Sequence, residues 1–368
     1  MTLSKIQFGN TGRRNLIING AMNISQRATS TTGVGASAAY FSCDRFKFGQ
    51  NSRDQAVFTI AQVSDAPSGF LKSFKITTTT PESAIDASDL FWIEQKIEGQ
   101  NITHLKNGSS DAKPVTLSFY VKSSITGTFG LTLWKPENTV RLINSTYTIN
   151  SANTWEFKTV TFAGDTSGGG INNDNSEALS VVWHLASGSD YDSVNSTSWA
   201  NYSTTNWAGG HAQDGVVTTS NATWQLAGVQ LEVGSTATDF EHLSYAEDLA
   251  LCQRYYYKRD VTIYNVVALG HGLGDRGGYL LHTPVSMRLK PSVSQGSNIQ
   301  CWYNNGGSVT AQDNLAPGYM NSADTDFNQV YIRADANSNI SGNTYPLGLT
   351  SYHGSGTANS YIALDSEL

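Results

Sequence analysis

Short segments in which apolar and polar residues alternate recur along most of the chain and constrain its fold more than any other feature. The clearest apolar series are Leu179, Val181, Trp183 and Leu185, and Val115, Leu117, Phe119 and Val121. Successive side chains of a β-strand point to opposite faces, so this period of two predicts strands with one buried face. Roughly eight to ten such segments, separated by turn residues, precede residue 234, which is the pattern of a β-sandwich. Three tryptophans in these segments are predicted to lie in the core: Trp92, Trp183 and Trp224.

One predicted strand changes the parity of its apolar residues part-way along. Trp224 and Leu226 share one parity, whereas Val229 and Leu231 share the other. A change of parity without a turn indicates one inserted residue, which is a β-bulge. Gly228 lies at the change, and glycine adopts the backbone angles of a bulge readily. The sequence therefore predicts a bulge at Gly228.

A short helix is predicted directly after this strand. Ser244 is suited to cap its N-terminus, and Glu247 stands three residues later, as in a capping box. Three residues would then share one helix face: Leu249, Cys252 and Tyr256. This apolar face is long enough for a docked helix over 244–258 and too short for a coiled coil.

The chain on either side of this helix differs little in character, since short strands continue to the C-terminus. The first expected strand is Asn15–Asn19, closed by Gly20. The predicted fold class is all-β: an N-terminal jelly-roll β-sandwich, a short linking helix and a smaller C-terminal β-sandwich. The predicted boundaries are a polar arm over 1–14, the jelly-roll domain over 15–243, the linking helix over 244–258 and the second sandwich over 259–368.

The charge distribution excludes several kinds of partner. Charged residues make up 14% of the chain, the net charge is −7, and Lys and Arg form no run. Binding to nucleic-acid phosphates is therefore not expected.

The first twenty residues lack the apolar core of a signal peptide, and no stretch is long enough to span a bilayer. The sequence thus predicts synthesis in a cytoplasm, without ordinary secretion or membrane insertion.

No sequence motif indicates catalysis, a cofactor or a metal. Gly272–Gly277 matches GxGxxG, but the strand-like residues up to Pro284 follow it where a dinucleotide site needs a helix. The seven His form neither HxH nor HExxH, and GxSxG does not occur. We therefore predict no catalytic residues, no cofactor and no metal ligands.

The best candidate for ligand binding is a polar segment over 187–222 that carries four large aromatic residues: Tyr191, Trp199, Tyr202 and Trp207. So long a loop in a compact domain is usually functional or disordered, and the aromatic residues argue against disorder. Aromatic rings contact the apolar C–H faces of sugars, while Asn, Ser and Asp form directional hydrogen bonds. A carbohydrate site is therefore predicted, with packing beneath the loop or a subunit contact as the equal alternative.

Several motifs together resemble those of phage tail-fibre and virion proteins. They are the NLIINGAMNISQR run that ends at Arg27, the QKIEG run at Gln95–Gly99 with Val115–Ser124, the GVQLEVGS run at Gly228–Ser235 with Phe240-Glu241 and Leu249–Tyr256, and the final Tyr361–Leu368. The resemblance covers nearly the whole chain and is most specific over 228–256.

The resemblance implies a jelly roll similar to carbohydrate-binding modules, a place on the virion exterior, and assembly as a homotrimer with other tail or capsid proteins. Ala21 stands where an Asp is common in this group, so the calcium site of related sugar-binding modules is not expected here. The implied function is a non-enzymatic virion protein: a tail-fibre or receptor-binding protein that contacts host cell-surface glycan. The alternatives are a capsid decoration or tail-connector protein without host binding, and a glycan-degrading tailspike.

Overall fold

The computed structural model describes residues 13–52, 54–261, 268–272, 276–296, 299–305, 308–312, 329–335, 347–351 and 360–368. The chain forms two compact units, Met1–Asp248 and Leu249–Leu368. Of the predicted N-terminal arm, only Arg13 and Arg14 lie within the described residues.

The first unit contains two antiparallel sheets of six strands each. Its described strands are β1 (Ser30–Val34), β2 (Lys47–Asn51), β3 (Val57–Val63), β4 (Ser73–Thr80), β5 (Leu90–Glu98), β6 (Val115–Ser123), β7 (Gly127–Lys135), β8 (Arg141–Ile149), β9 (Glu156–Phe162), β10 (Glu177–Ser187), β11 (Ala200–Asn201) and β12 (Thr223–Val233). The first sheet has the order β1-β3-β4-β12-β6-β9, and the second has the order β11-β8-β7-β10-β5-β2. The chain passes repeatedly from one sheet to the other, as the predicted jelly-roll sandwich requires.

Three short helices interrupt or follow these strands: α1 (Ser189–Asp192), α2 (Gly215–Thr218) and α3 (Tyr245–Gln253). Single turns of 3-10 helix occur at Gly99–Asn101, Thr103–Leu105 and Thr204–Asn206.

The core between the two sheets is rich in aromatic side chains. Trp183 and Trp224 are fully buried, which confirms two of the three predicted core tryptophans. Phe119 packs edge-on against Trp183, with 6.0 Å between ring centroids. Trp224 Nε1 donates to the Tyr147 hydroxyl at 3.0 Å, so the indole keeps a hydrogen bond inside the core.

The bulge predicted in the twelfth strand is confirmed. The register of β12 against β6 shifts between Ala227 and Gln230, and Gly228 has a φ of +57°. Leu226 before the bulge and Val229 after it are both fully buried. The inserted residue therefore lets both halves of the strand direct apolar side chains into the core.

The predicted strand Asn15–Asn19 is wrong, because this segment is irregular. Its backbone is bound mainly by side chains, apart from the Leu16 amide, which donates to the Leu231 carbonyl of β12 at 2.8 Å. Gln95 accepts from the amide of Ile18 and donates to its carbonyl, while Asn15 Oδ1 accepts from Ile17 and Leu231 amides. Asn19 has a φ of +59°, which ends any extended run.

The predicted capping box is confirmed, but the predicted extent of the helix is not. Ser244 Oγ accepts from the Glu247 amide, and the Glu247 carboxylate accepts from the Ser244 amide at 3.0 Å. Helix α3 ends at Gln253, whereas we predicted a helix to Lys258. Tyr256 begins strand β13 and lies opposite Asp365, so pairing with the C-terminal strand overrides the helical pattern.

The second unit is also built of antiparallel strands, in agreement with the predicted all-β fold. Its described strands are β13 (Tyr256–Val261), β14 (Ala268–Gly272), β15 (Arg276–His282), β16 (Ser292–Gln295), β17 (Ile299–Asn305), β18 (Ser308–Gln312), β19 (Gln329–Asp335), β20 (Leu347–Ser351) and β21 (Ser360–Asp365). They form a three-stranded sheet, β13-β21-β16, and a six-stranded sheet, β18-β17-β20-β14-β15-β19. Within the described part of the chain, no helix has the length and apolar character needed to cross a membrane.

Candidate functional site: an aromatic face on the second sheet

The outer face of the second sheet carries side chains that alternate with those of the core. On β10, Val181 and Trp183 point inward, so His184 lies on the outer face; it pairs in register with Trp92 of β5. On β7, Leu131 and Leu133 are buried in the core, so Thr132 and Trp134 lie on the outer face.

The polar segment after β10 lies across part of this outer face. The Thr132 hydroxyl donates to the Trp207 carbonyl at 2.7 Å, and the Asn144 amide donates to the Ser196 carbonyl at 2.7 Å. The Gly130 amide donates to His211 Nδ1 at 3.0 Å. A Cβ at Gly130 would come within 3.0 Å of His211 Cβ, so glycine allows the close approach. The segment is thus held on the sheet by specific hydrogen bonds.

Three aromatic rings meet where this segment covers β7. Trp134 packs edge-on against Trp207 at 4.6 Å and against Tyr202 at 4.9 Å between centroids. Tyr202 and Trp207 are 6.0 Å apart and nearly perpendicular. Tyr202 is 40% exposed, and Trp134 and Trp207 are half-buried. These perpendicular arrangements are favourable for aromatic pairs and hold the rings in fixed positions.

Tyr191 of α1 lies near this group. Its hydroxyl accepts from Asn51 Nδ2 at 2.5 Å, and its carbonyl accepts from the Ala208 amide. Burial raises the pKa of Tyr202, and the nearby Tyr191 raises that pKa further. We call Trp134, Tyr191, Tyr202 and Trp207 the aromatic cluster.

Trp199, the fourth aromatic residue predicted for the site, lies elsewhere. Its side chain is partly buried against the core, and its Nε1 donates to the Ala163 carbonyl at 2.6 Å. Arg141 binds the Trp199 carbonyl at 2.8 Å. The structure therefore groups three of the four predicted residues and gives Trp199 a packing role.

Two tryptophans of this face were missed as site residues. Trp134 was not singled out in the sequence, and Trp92 was predicted to be in the core. In the structure Trp92 is half-buried on the outer face, and its ring covers Gly49, where a Cβ would lie 2.1 Å from the indole. Parity gave the signal in both cases, because Ile93 and Leu133, the immediate neighbours, are core residues.

A buried histidine beneath the cluster has one unpartnered nitrogen. The Thr132 hydroxyl donates to Trp207, so it accepts from His184 Nε2 at 2.9 Å and from Asn144 Nδ2 at 3.0 Å. This pattern assigns the proton of His184 to Nε2 and leaves Nδ1 as a hydrogen-bond acceptor without a protein partner. Burial, and then the neighbouring His211, lower the pKa of His184, so the ring is neutral at neutral pH.

Two indole groups on the same face also lack partners. Trp92 Nε1 and Trp207 Nε1 are buried and donate to no protein atom. A buried polar atom without a hydrogen bond costs about 1–3 kcal/mol. These three atoms, His184 Nδ1 included, lie beneath the accessible surface, so a ligand would meet the aromatic rings of the face and not these atoms.

Charged residues beside Trp92 are paired with one another. Lys47 lies 3.4 Å from Glu94, and Lys96 lies 2.7 Å from Glu177. Burial raises the pKa of Glu94 despite the two nearby lysines. These pairs leave the surroundings of Trp92 close to neutral, while Asp190 and Asp192 flank Tyr191 and add negative charge beside the cluster, so the face suits an uncharged ligand better than an anion.

Among the described residues, no three His, Cys, Asp or Glu side chains are grouped closely enough to hold a metal ion. The arrangement of fixed rings can bind and orient a ligand.

Comparisons with known proteins give only weak likenesses. No family model matches the chain, and no curated protein matches it. Among solved structures, the enzymatically active domain of bacteriophage CBA120 tailspike protein 4 is similar at 12% identity and a TM-score of 0.33. That match covers 60% of this chain and 21% of the tailspike chain. The chain therefore spans about a fifth of the length of the tailspike structure that it matches.

Carbohydrate-binding modules are similar at the same low level. The family 11 module of a Clostridium thermocellum cellulase is 10% identical, with a TM-score of 0.28, and the match covers 52% of this chain and 91% of the module. The CBM22-1 xylan-binding domain of a Paenibacillus barcinonensis xylanase is 10% identical, with a TM-score of 0.25, covering 61% and 100%. Likenesses this weak assign no function to this chain.

Proposed function

We propose that this chain binds carbohydrate through the aromatic cluster and the adjoining Trp92. The observation that carries this proposal is the group of three aromatic rings held in fixed, perpendicular contact on the outer face of the sheet, with Tyr202 40% exposed. Rings supply contact for sugar C–H faces, and the exposed side chains of Asn201 and Ser203 beside Tyr202 can hydrogen-bond sugar hydroxyls. The paired charges around Trp92 favour a neutral glycan.

We further propose that the protein is a non-enzymatic part of a phage virion, as a homotrimeric tail-fibre or receptor-binding protein on the particle exterior. The support is the sequence resemblance over 14–27, 95–124 and 228–256. In that role the glycan would be host surface polysaccharide. A capsid decoration or tail-connector protein would carry the same motifs, and a glycan-degrading tailspike would need a catalytic pair.

Binding of host-derived oligosaccharides, measured by calorimetry, tests the site. Trp207→Ala and Tyr202→Ala should each weaken binding by about tenfold or more. Each variant removes a ring that contacts the sugar, and losing that contact costs ~1.4 kcal/mol of binding free energy. Tyr245→Ala is the matched control, since Tyr245 is 63% exposed on helix α3 and lies outside the cluster. If both cluster variants fold normally by circular dichroism and bind with unchanged affinity, the assignment of this binding site is wrong.

The virion role has separate tests. Antibody labelling of assembled particles should place the protein at the tail periphery; labelling of the capsid lattice would favour the decoration protein. A tailspike would release reducing ends from host polysaccharide, and we expect none. Light scattering should give three times the chain mass of 39.7 kDa for a homotrimer.

A further inference from the structure

Two buried histidines, which we call the histidine pair, lie where the polar segment contacts the second sheet. His184 belongs to strand β10 and His211 to the polar segment, and their rings are 6.3 Å apart. His184 is fully buried, and the side chain of His211 is 1% exposed. Gly130 of β7 lies between them, since a Cβ there would come within 3.0 Å of His211 Cβ and 3.2 Å of His184 Cδ2. The pair is therefore part of the contact that holds Tyr202 and Trp207 on the sheet.

The hydrogen bond made by His211 requires an unprotonated Nδ1. The Gly130 amide donates to Nδ1 at 3.0 Å, so the proton of the neutral ring is on Nε2. A second proton could enter only at Nδ1, where it would turn the acceptor into a donor that faces the Gly130 N–H. Protonation of His211 therefore removes this bond and leaves the buried Gly130 amide without this acceptor, which disfavours the bound position of the segment.

His184 has no acceptor for a second proton. Its Nε2 donates to the Thr132 hydroxyl at 2.9 Å, and that hydroxyl donates to the Trp207 carbonyl of the polar segment. Nδ1 is buried without a protein partner, so a proton there would create a charged ring whose new N–H has no hydrogen bond. Burial, and then the neighbouring His211, lower the pKa of His184, in agreement with this arrangement.

Neutral groups surround His184 on the sheet. Trp92 of β5 pairs in register with it, and Gly130 of β7 lies beside its ring. Glu94, two residues along β5 from Trp92, is already paired with Lys47 at 3.4 Å. That carboxylate therefore does not offset the burial of a charged His184.

Carboxylates lie near His211 but do not replace its bond at Nδ1. Asp214 Oδ1 is 3.3 Å from Nε2, the nitrogen that already carries the proton, and the Phe129 ring lies 6.0 Å away on the side of β7. Asp190 of helix α1 is exposed. Burial raises the pKa of Asp192, although His211 lowers it. Asp192 therefore takes up its proton at a higher pH than an ordinary aspartate, and its attraction for a charged ring fades as the pH falls.

We propose that the histidine pair makes the polar segment acid-sensitive: below about pH 6.5, protonation of both rings releases residues 194–212 from the second sheet and separates Tyr202 and Trp207 from Trp134. In the closed position both rings resist protonation, whereas in the released segment each takes up a proton near pH 6.5. Each histidine then raises the ratio of open to closed segment by up to about tenfold per pH unit, and the two together by up to about a hundredfold. The consequence for ligand binding rests on the proposed function, whereas the opening itself does not.

Hydrogen–deuterium exchange of the ligand-free, full-length chain, measured by mass spectrometry at several pH values, tests the opening. After correction for the intrinsic exchange rate at each pH, peptides from 194–212 should lose protection by about ten- to a hundredfold per pH unit between pH 6 and pH 5. Peptides from strand β12, in the first sheet, should stay protected over the same labelling times.

Two substitutions keep the hydrogen bonds and remove the titration. His211→Asn places an amide oxygen near the position of Nδ1, and His184→Gln places an amide nitrogen near the position of Nε2. In the double variant, the protection of 194–212 should be equal at pH 7.5 and pH 5. His104→Gln is the matched control, because burial also lowers the pKa of His104, in the turn Thr103–Leu105. The control should retain the pH dependence of wild type.

Equal protection of the segment at pH 7.5 and pH 5 in wild type would overturn the inference, and this measurement needs no substitution. An undiminished loss of protection in the double variant would overturn it too, because other groups would then cause the opening. Oligosaccharide binding is measured separately. A chain that opens in acid and binds no sugar at any pH would refute the proposed carbohydrate site and support the acid-sensitive contact. Equal sugar affinity at both pH values, with the segment open at pH 5, would overturn the link to the aromatic cluster.

Discussion

Replacing Gly228 by Ala tests the physical account of the bulge. Two costs add at this position. The first is backbone strain, because a φ of +57° costs an L-residue about 1–2 kcal/mol. The second is steric: the new Cβ would lie 2.6, 3.0 and 3.1 Å from three atoms of the Phe70 ring. Displacing a packed ring of this kind costs about 1–3 kcal/mol. The expected loss of unfolding free energy is therefore about 2–5 kcal/mol.

Gly33→Ala is the matched control for the backbone cost. Gly33 has a φ of +68°, and a Cβ there would meet no atom within 4 Å, so its loss should be about 1–2 kcal/mol. Guanidinium unfolding followed by tryptophan fluorescence suits this comparison, since seven of the eight tryptophans precede residue 249. Adding Phe70→Ala to Gly228→Ala should remove the steric part, and the double-mutant cycle measures that coupling. Equal losses for Gly228→Ala and Gly33→Ala would refute the role given to Phe70.

Two further predictions concern buried polar groups. Lys135 is fully buried 3.4 Å from the Asp165 carboxylate and donates to the Gly168 and Gly169 carbonyls. Lys135→Met should lower the unfolding free energy by about 1–3 kcal/mol, because these buried acceptors lose a donor while Arg141, 3.1 Å from Asp165, keeps the carboxylate paired. Denaturant titration checks this, and a loss below about 1 kcal/mol would contradict it. The pKa of His184 is lowered in the folded state, whereas the same side chain in the unfolded chain binds its proton near pH 6.5. The unfolding free energy should therefore fall as the pH drops from 7 to 5, with a slope of up to ~1.4 kcal/mol per pH unit. His184→Gln should flatten that slope; an unchanged slope would assign it to other groups.

Local sequence patterns predicted the features that depend on neighbouring residues. The parity change located the bulge at Gly228, and Ser244 with Glu247 located the start of α3. Trp183 and Trp224 were placed correctly in the core, because their strands alternate cleanly.

Contacts between residues far apart in the chain decided the features that the sequence did not reveal. Asn15–Asn19 has the composition of a strand, yet Gln95, distant in sequence, binds its backbone. Tyr256 fits the apolar pattern of the preceding helix, but in the structure it lies in a strand and pairs with Asp365 of the last strand. Trp92 is different, because it shares its strand face with the charged Glu94 and Lys96, whereas Ile93 is a core residue, so parity already indicated the outer face.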